Sequence, residues 1–221
     1  NYWIFKTGQK ILNVRLTAQK NGQTITKTFT FRPNDYAIGI HLRLENNASH
    51  VFSGRTFMQT SRREMNASSH HYLGVRSFTG IAISTPKHPY EKHAFSALAK
   101  TPLNSQISGG WLAYVQHYFL SAWVPNPHQS FFYQSAVSNN DLYTVYLMGQ
   151  TMTAQPGAAV ENTMTFYAGP EIKNRLDALA PHLSLTIDYG WLWMISVGLF
   201  WLLKSIFTFI GNWGVSIIIL T

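Results

Sequence analysis

A chain of 221 residues can bury one sizeable β core, and its 12% charged and 14% aromatic residues exclude a disordered or coiled-coil sequence. The net charge of +8 comes from Lys and Arg scattered singly, with Arg62-Arg63 the one adjacent pair, so the basic stripe of a nucleic-acid binder is missing. Without cysteine there is no disulfide scaffold, thiolate metal site or Cys nucleophile.

Asn1-Tyr2-Trp3 leads straight into mixed polar sequence with no signal-peptide core, so the natural N-terminus is expected upstream. Leu12, Val14 and Leu16 alternate with Asn13, Arg15 and Thr17, the period of two that marks a strand with one wet face. Asn21-Gly22 is a strong hairpin signal. Beyond it, Ile25, Phe29 and Phe31 share a face with Lys27, while Thr24, Thr26, Thr28 and Thr30 take the other. Tyr36, Ile38, Ile40, Leu42 and Leu44 alternate with Ala37, Gly39, His41, Arg43 and Glu45, extending the hairpin into a meander.

Further strands are expected at Val51 to Met58, Gly80 to Ser84, Trp111 to Val124, Leu142 to Met148 and Thr163 to Tyr167, separated by Pro, Asn, Gly and Ser clusters. Such spacing favours an antiparallel sandwich over βαβ units. Trp111 to Val124 is nearly all apolar, as for a strand covered on both faces or wrapping between sheets, and its Trp111, Tyr114, Tyr118 and Trp123 read as core. Gly109-Gly110 just before it reads as a tight turn. In Gly169-Pro170-Glu171 the Pro and Glu suit a first helical turn, Ile172, Leu176 and Leu179 recur at helical spacing, and Pro181 stops the helix.

Residues 191 to 210 carry a single charge, Lys204. At about 100° per residue, Ile195, Leu199, Leu202, Leu203, Ile206, Phe209 and Ile210 fall in one half-circle, with Gly198, Lys204, Ser205, Thr208, Trp193 and Trp201 in the other. This segregation and the Trp content favour an interfacial helix, but the length also admits a membrane span. Gly211-Asn212-Trp213-Gly214 breaks the pattern, and Val215 to Leu220 begins a second apolar run.

Chemistry-bearing patterns are weak. His70-His71, His88 and His93 are the closest group of the nine histidines, without zinc-site spacing. Asp35, Glu91, Asp141 and Glu161 are scattered acids that read as solvated turn residues. No nucleophile elbow, phosphate loop or dinucleotide fingerprint occurs, so neither an enzymatic activity nor a cofactor is expected.

Several ordered motifs nevertheless carry a resemblance: Gly109-Gly110-Trp111 through Val124-Pro125, Tyr167-Ala168-Gly169-Pro170-Glu171, Leu179-Ala180-Pro181 through Asp188-Tyr189-Gly190-Trp191-Leu192, and Gly211-Asn212-Trp213-Gly214. In these the chain resembles the YidC family of bacterial membrane protein insertases. The resemblance implies a mainly β, mutarotase-like antiparallel β-supersandwich in the periplasm, then a linker helix, then an amphipathic helix on the inner-membrane surface.

It divides the chain into a sandwich at 1–168 with its front portion missing, a linker helix and connection at 169–188, the interfacial helix at 189–210, and the start of a transmembrane helix at 211–221. The membrane-contact residues it selects are Trp191, Trp193, Ile195, Leu199, Trp201, Leu203, Lys204, Ile206 and Ile210. The implied function is assistance to insertion and folding of inner-membrane proteins, without nucleotide or covalent chemistry. The implied partners are the lipid bilayer, nascent inner-membrane proteins and Sec translocon subunits. The family's positively charged intramembrane groove is expected beyond Thr221. The alternative is a membrane-anchored carbohydrate-binding or carbohydrate-active domain, which a cleft with convergent acids and exposed aromatics would favour.

Overall fold

The computed structural model describes residues 4–63, 78–138, 142–187 and 193–221. Asn1 to Trp3, His70-His71, Asp141 and Asp188 to Leu192, including Trp191, therefore lie outside the described residues. Those described fall into two compact units, a β body ending at Ile187 and a helical pair beginning at Trp193.

The Asn21-Gly22 signal is realised as a two-residue turn, with φ of 52° and 76°, joining β1 (Leu12–Lys20) to β2 (Gln23–Phe31). Positive φ at both positions matches the right-handed twist of the flanking strands. β3 (Ala37–Asn46) pairs with β2, completing the expected meander. Then follow β4 (Phe52–Arg63), β5 (Thr79–Ser84), β6 (Glu91–His93), helix α1 (Phe95–Lys100) and β7 (Asn104–Ser108). β8 (Trp111–Gln116), β9 (Phe119–Pro125), β10 (Ser130–Ser138), β11 (Leu142–Ala154) and β12 (Ala159–Pro170) complete the strands.

Among the described residues these form a large sheet, β1-β2-β3-β12-β9-β8-β5-β6, and a smaller one, β4-β11-β10-β7, with every pairing antiparallel. Ile40, Ile83, Leu112 and Met164 of the large sheet share a core with Met58, Phe131, Val145 and Leu147 of the small one, and α1 adds Phe95 and Leu98.

The opposite face of the large sheet is covered too. α2 (Lys173–Leu179) and a 3₁₀ turn (Leu183–Thr186) lay Leu176 and Leu183 on Trp111, Val115, Leu120 and Tyr167, and the Trp111 indole donates to the Pro181 carbonyl (2.9 Å). β8 thus sends Leu112 and Tyr114 into one core and Trp111, Ala113 and Val115 into the other, which is why it needs no polar face.

Several sequence expectations are corrected. Trp111 to Val124 is two strands, because the chain reverses at His117 (φ 48°) and Tyr118, and Tyr118 is 67% exposed instead of core. The polar pair Gln116-His117 marks that turn. Pro170 ends β12 opposite Phe119 and does not open α2, whose preceding cap residue is Ile172. β6, β7, β10 and α1 were not expected. β4 and β11 run past Met58 and Met148, with a register shift between Met148 and Thr151.

Candidate functional site

The apolar end of the chain is helix α3 (Trp193–Ile210), a turn, and helix α4 (Trp213–Leu220). The turn is closed by three local devices. Gly211, at φ 70°, donates its N–H to Phe207 O (2.7 Å). Asn212 caps α4 by accepting from the N–H groups of Gly214 (2.9 Å) and Val215 (3.3 Å). The Phe207 and Trp213 rings stack across it, with centroids 4.0 Å apart and planes 11° from parallel.

The described hydroxyls of this unit are satisfied without solvent. Ser205, Thr208, Ser216 and Thr221 each donate to the carbonyl four residues earlier, Trp201, Lys204, Asn212 and Ile217 respectively. A hydroxyl bonded this way can sit in apolar surroundings with no unmet donor.

Of the residues singled out from sequence, Leu199, Leu203, Ile206 and Ile210 follow one another at spacings of four, three and four along α3, and Trp201 and Lys204 lie on its other side. Leu199 is 50% exposed and Ile210 also exposed, while Leu203 and Ile206 are half-buried. Trp201 (69%) and Lys204 are exposed. Trp193 and Ile195 fall within α3, but their side chains lie outside the described ones.

The contact set selected from sequence omitted Phe200 and Phe209. Among the described residues of the unit, Phe209 is the most exposed large apolar side chain, at 92%. Its place in the aliphatic half-circle was the available signal; Phe200, also exposed, had none. None of the described helices is long and apolar enough to cross a membrane.

In the β body, several titratable groups pair with one another. The carboxylate of Glu161 receives hydrogen bonds from Arg43 and His41, which hold it below the usual Glu range, and Arg43 also bonds Glu45 (2.9 Å). Asp35 accepts from the Ala37 N–H (3.0 Å). Burial pushes the hydroxyls of Tyr133 and Tyr167 above the ordinary Tyr value. His93 and Glu91 approach to 3.6 Å, but among the described residues no group of three or more His, Asp or Glu is placed to hold a metal.

A strand-rich body followed by an exposed apolar helix is what the sequence motifs led one to expect, and comparison with known proteins decides the family. The model of the YidC periplasmic domain matches residues 3–202. The chain belongs to the YidC family. The membrane protein insertase YidC of Coxiella burnetii is 41% identical over 225 residues, covering 99% of this chain and 40% of that protein. The chain thus spans about 40% of the length of the YidC relatives it matches.

Among solved structures, α-galactosidase AgaA of Geobacillus stearothermophilus aligns with TM-score 0.53 at 12% identity, over 76% of this chain and 26% of that one. A galactose mutarotase related enzyme from Lactobacillus acidophilus aligns with TM-score 0.43 at 7% identity, over 72% of this chain and 68% of that one. The AgaA alignment shows a shared β fold and nothing about activity.

Proposed function

We propose that this chain is the periplasmic and membrane-surface part of an inner-membrane insertase and chaperone, and that α3 is its point of contact with the bilayer. The observation that carries this reading is the row of exposed Leu199, Phe200, Trp201, Leu202, Phe209 and Ile210 on a helix with one charge. Exposed apolar surface of this extent is unfavourable in water by roughly 25 cal/mol per Å² and is relieved by lipid.

A surface position fits Lys204 better than a spanning one. With a rise of 1.5 Å per residue, a spanning α3 would hold Lys204 about 4 Å from its midpoint, where a buried cation costs about 2.5–3.5 kcal/mol. Lying flat, Trp191, Trp193, Ile195, Leu199, Trp201, Leu203, Ile206 and Ile210 supply apolar and indole contacts at the interface while Lys204 reaches headgroups. In this reading residues 1–168 are the sandwich, 169–188 the linker, 189–210 the surface helix and 211–221 the start of a membrane helix.

The partners are the bilayer, nascent inner-membrane proteins and Sec translocon subunits. No covalent reaction, cofactor or nucleic acid is involved, since moving an apolar segment from water to lipid is itself downhill. The test is insertion of a single-span client into proteoliposomes holding the full-length protein, read as the protease-protected fraction. The proposal expects protection above empty liposomes, lowered by Leu199→Asp or Leu203→Asp and much less by Ser205→Asp. Client insertion no better than in empty liposomes would sink it.

A further inference from the structure

On the half of α3 that carries its polar residues, Trp201, Lys204, Ser205 and Thr208 stand at spacings of three and four from one another. Neighbours at such spacings lie about 5–6 Å apart between Cβ atoms, so the four make one strip along the helix. Trp201, Lys204 and Thr208 are exposed and Ser205 is half-buried.

What the strip can recognise follows from which of its groups are already committed. The single proton of each hydroxyl is used, because Ser205 donates to Trp201 O and Thr208 to Lys204 O, both at 2.9 Å. Each Oγ keeps lone pairs, so toward a ligand both hydroxyls are acceptors. The indole face of Trp201 attracts cations, and among the described residues no Lys or Arg lies over it. Lys204 has the opposite preference, an ammonium suited to an anion. Residues 193–221 contain no Asp or Glu, so no side chain of the helical pair neutralises it. The strip thus sets one group for an anion within a helical turn of three groups for a cation.

We propose that this strip binds the headgroup of a zwitterionic phospholipid whose cation is a primary ammonium. The phosphate pairs with Lys204, and the ammonium sits against the Trp201 ring and the Oγ atoms of Ser205 and Thr208. An anionic glycerol headgroup would satisfy Lys204 and leave the acceptors unmatched. A trimethylated ammonium would meet the ring but has no N–H for the hydroxyl oxygens. The inference rests on the reading of α3 as a surface helix and adds to it the class of lipid recognised there.

The test uses the full-length protein in vesicles of equal parts phosphatidylethanolamine, phosphatidylcholine and phosphatidylglycerol. A photoreactive p-benzoylphenylalanine replaces Gly198, where an added Cβ meets nothing within 4 Å and Trp201 is three residues away. After irradiation, mass spectrometry counts the lipid adducts by headgroup and locates the attachment point on each lipid. Phosphatidylethanolamine adducts are expected to exceed phosphatidylcholine adducts by at least about threefold, the scale of one exposed cation–π contact. The double change Trp201→Leu and Lys204→Gln should return the three lipids to equal shares. Should that variant fail to fold, the lipid comparison on the intact strip still decides. Equal shares on the intact strip, or an excess of phosphatidylglycerol, with attachment near the glycerol would overturn the proposal and leave α3 on the surface. Attachment deep in the acyl chains, or no lipid adduct, would overturn the surface reading and this inference with it.

Discussion

Asn46 is fully buried, and its side-chain amide donates to the carbonyls of His50 and Ala154, both at 2.8 Å. Its backbone also bonds Ala158 and Gly157, tying the end of β3 to the β11–β12 connection. Asn46→Ala would leave two carbonyls without that partner and should cost about 2 kcal/mol in denaturant unfolding followed by Trp fluorescence. No loss would mean that water replaces the amide. Sequence gave no hint of this, because Asn46-Asn47 reads as ordinary turn chemistry and its partners lie far along the chain.

Glu161 behaves differently, since it is exposed and its partners Arg43 and His41 are equally wet. Its folded pKa lies below the ordinary 4.5, so its contribution is complete above that value and is lost as pH falls through the lowered one. Tm measured against pH should therefore show the wild type and Glu161→Gln converging in acid and separating slightly above pH 4.5, with the difference shrinking in high salt. A difference that grew in acid would contradict the pairing.

At the level of elements, α2 holds the outer core of the large sheet through Leu176, which is fully buried. Leu176→Ala should destabilise the β body by about 3 kcal/mol, whereas Leu185→Ala, on the exposed side of the neighbouring 3₁₀ turn, should change little. Calorimetry of both variants distinguishes a structural helix from a loosely attached one.

Legibility followed alternation. β1 to β3 stood out because one face is apolar and the other is Thr and charge. β8 and β9 were seen as one run because both faces of each are covered, leaving no periodicity to mark the turn. β7 was missed because only Ile107 of its residues is buried. In β10, Phe131 and Tyr133 face the core, but the next inward residue is Ser135, whose hydroxyl accepts from Leu103 N–H (2.7 Å) and so replaces an apolar contact.

For the whole molecule, the motifs around Gly109-Gly110-Trp111 and Gly169-Pro170-Glu171 conveyed the family more directly than the scattered histidines and acids, of which no group of three or more is placed to hold a metal among the described residues. The apolar face of α3 was legible because periodicity reports where apolar side chains gather on a helix. The sequence could not reveal how far exposure spreads round α3, with Phe200 and Trp201 exposed as well as Leu199 and Phe209. A broader apolar belt suits a helix partly sunk among headgroups, held there by its indoles.

The central claim is that α3 lies along the membrane surface. It is tested most directly by placing a spin label at position 199, 203 or 205 of the full-length protein in bilayers and measuring depth from collisions with oxygen and with a polar relaxant. Shallow depths, greater for 199 and 203 than for 205, are the expected result. Labels extended along the helix that descend steadily to the bilayer centre near Phe200 would show that α3 spans, contradicting the account.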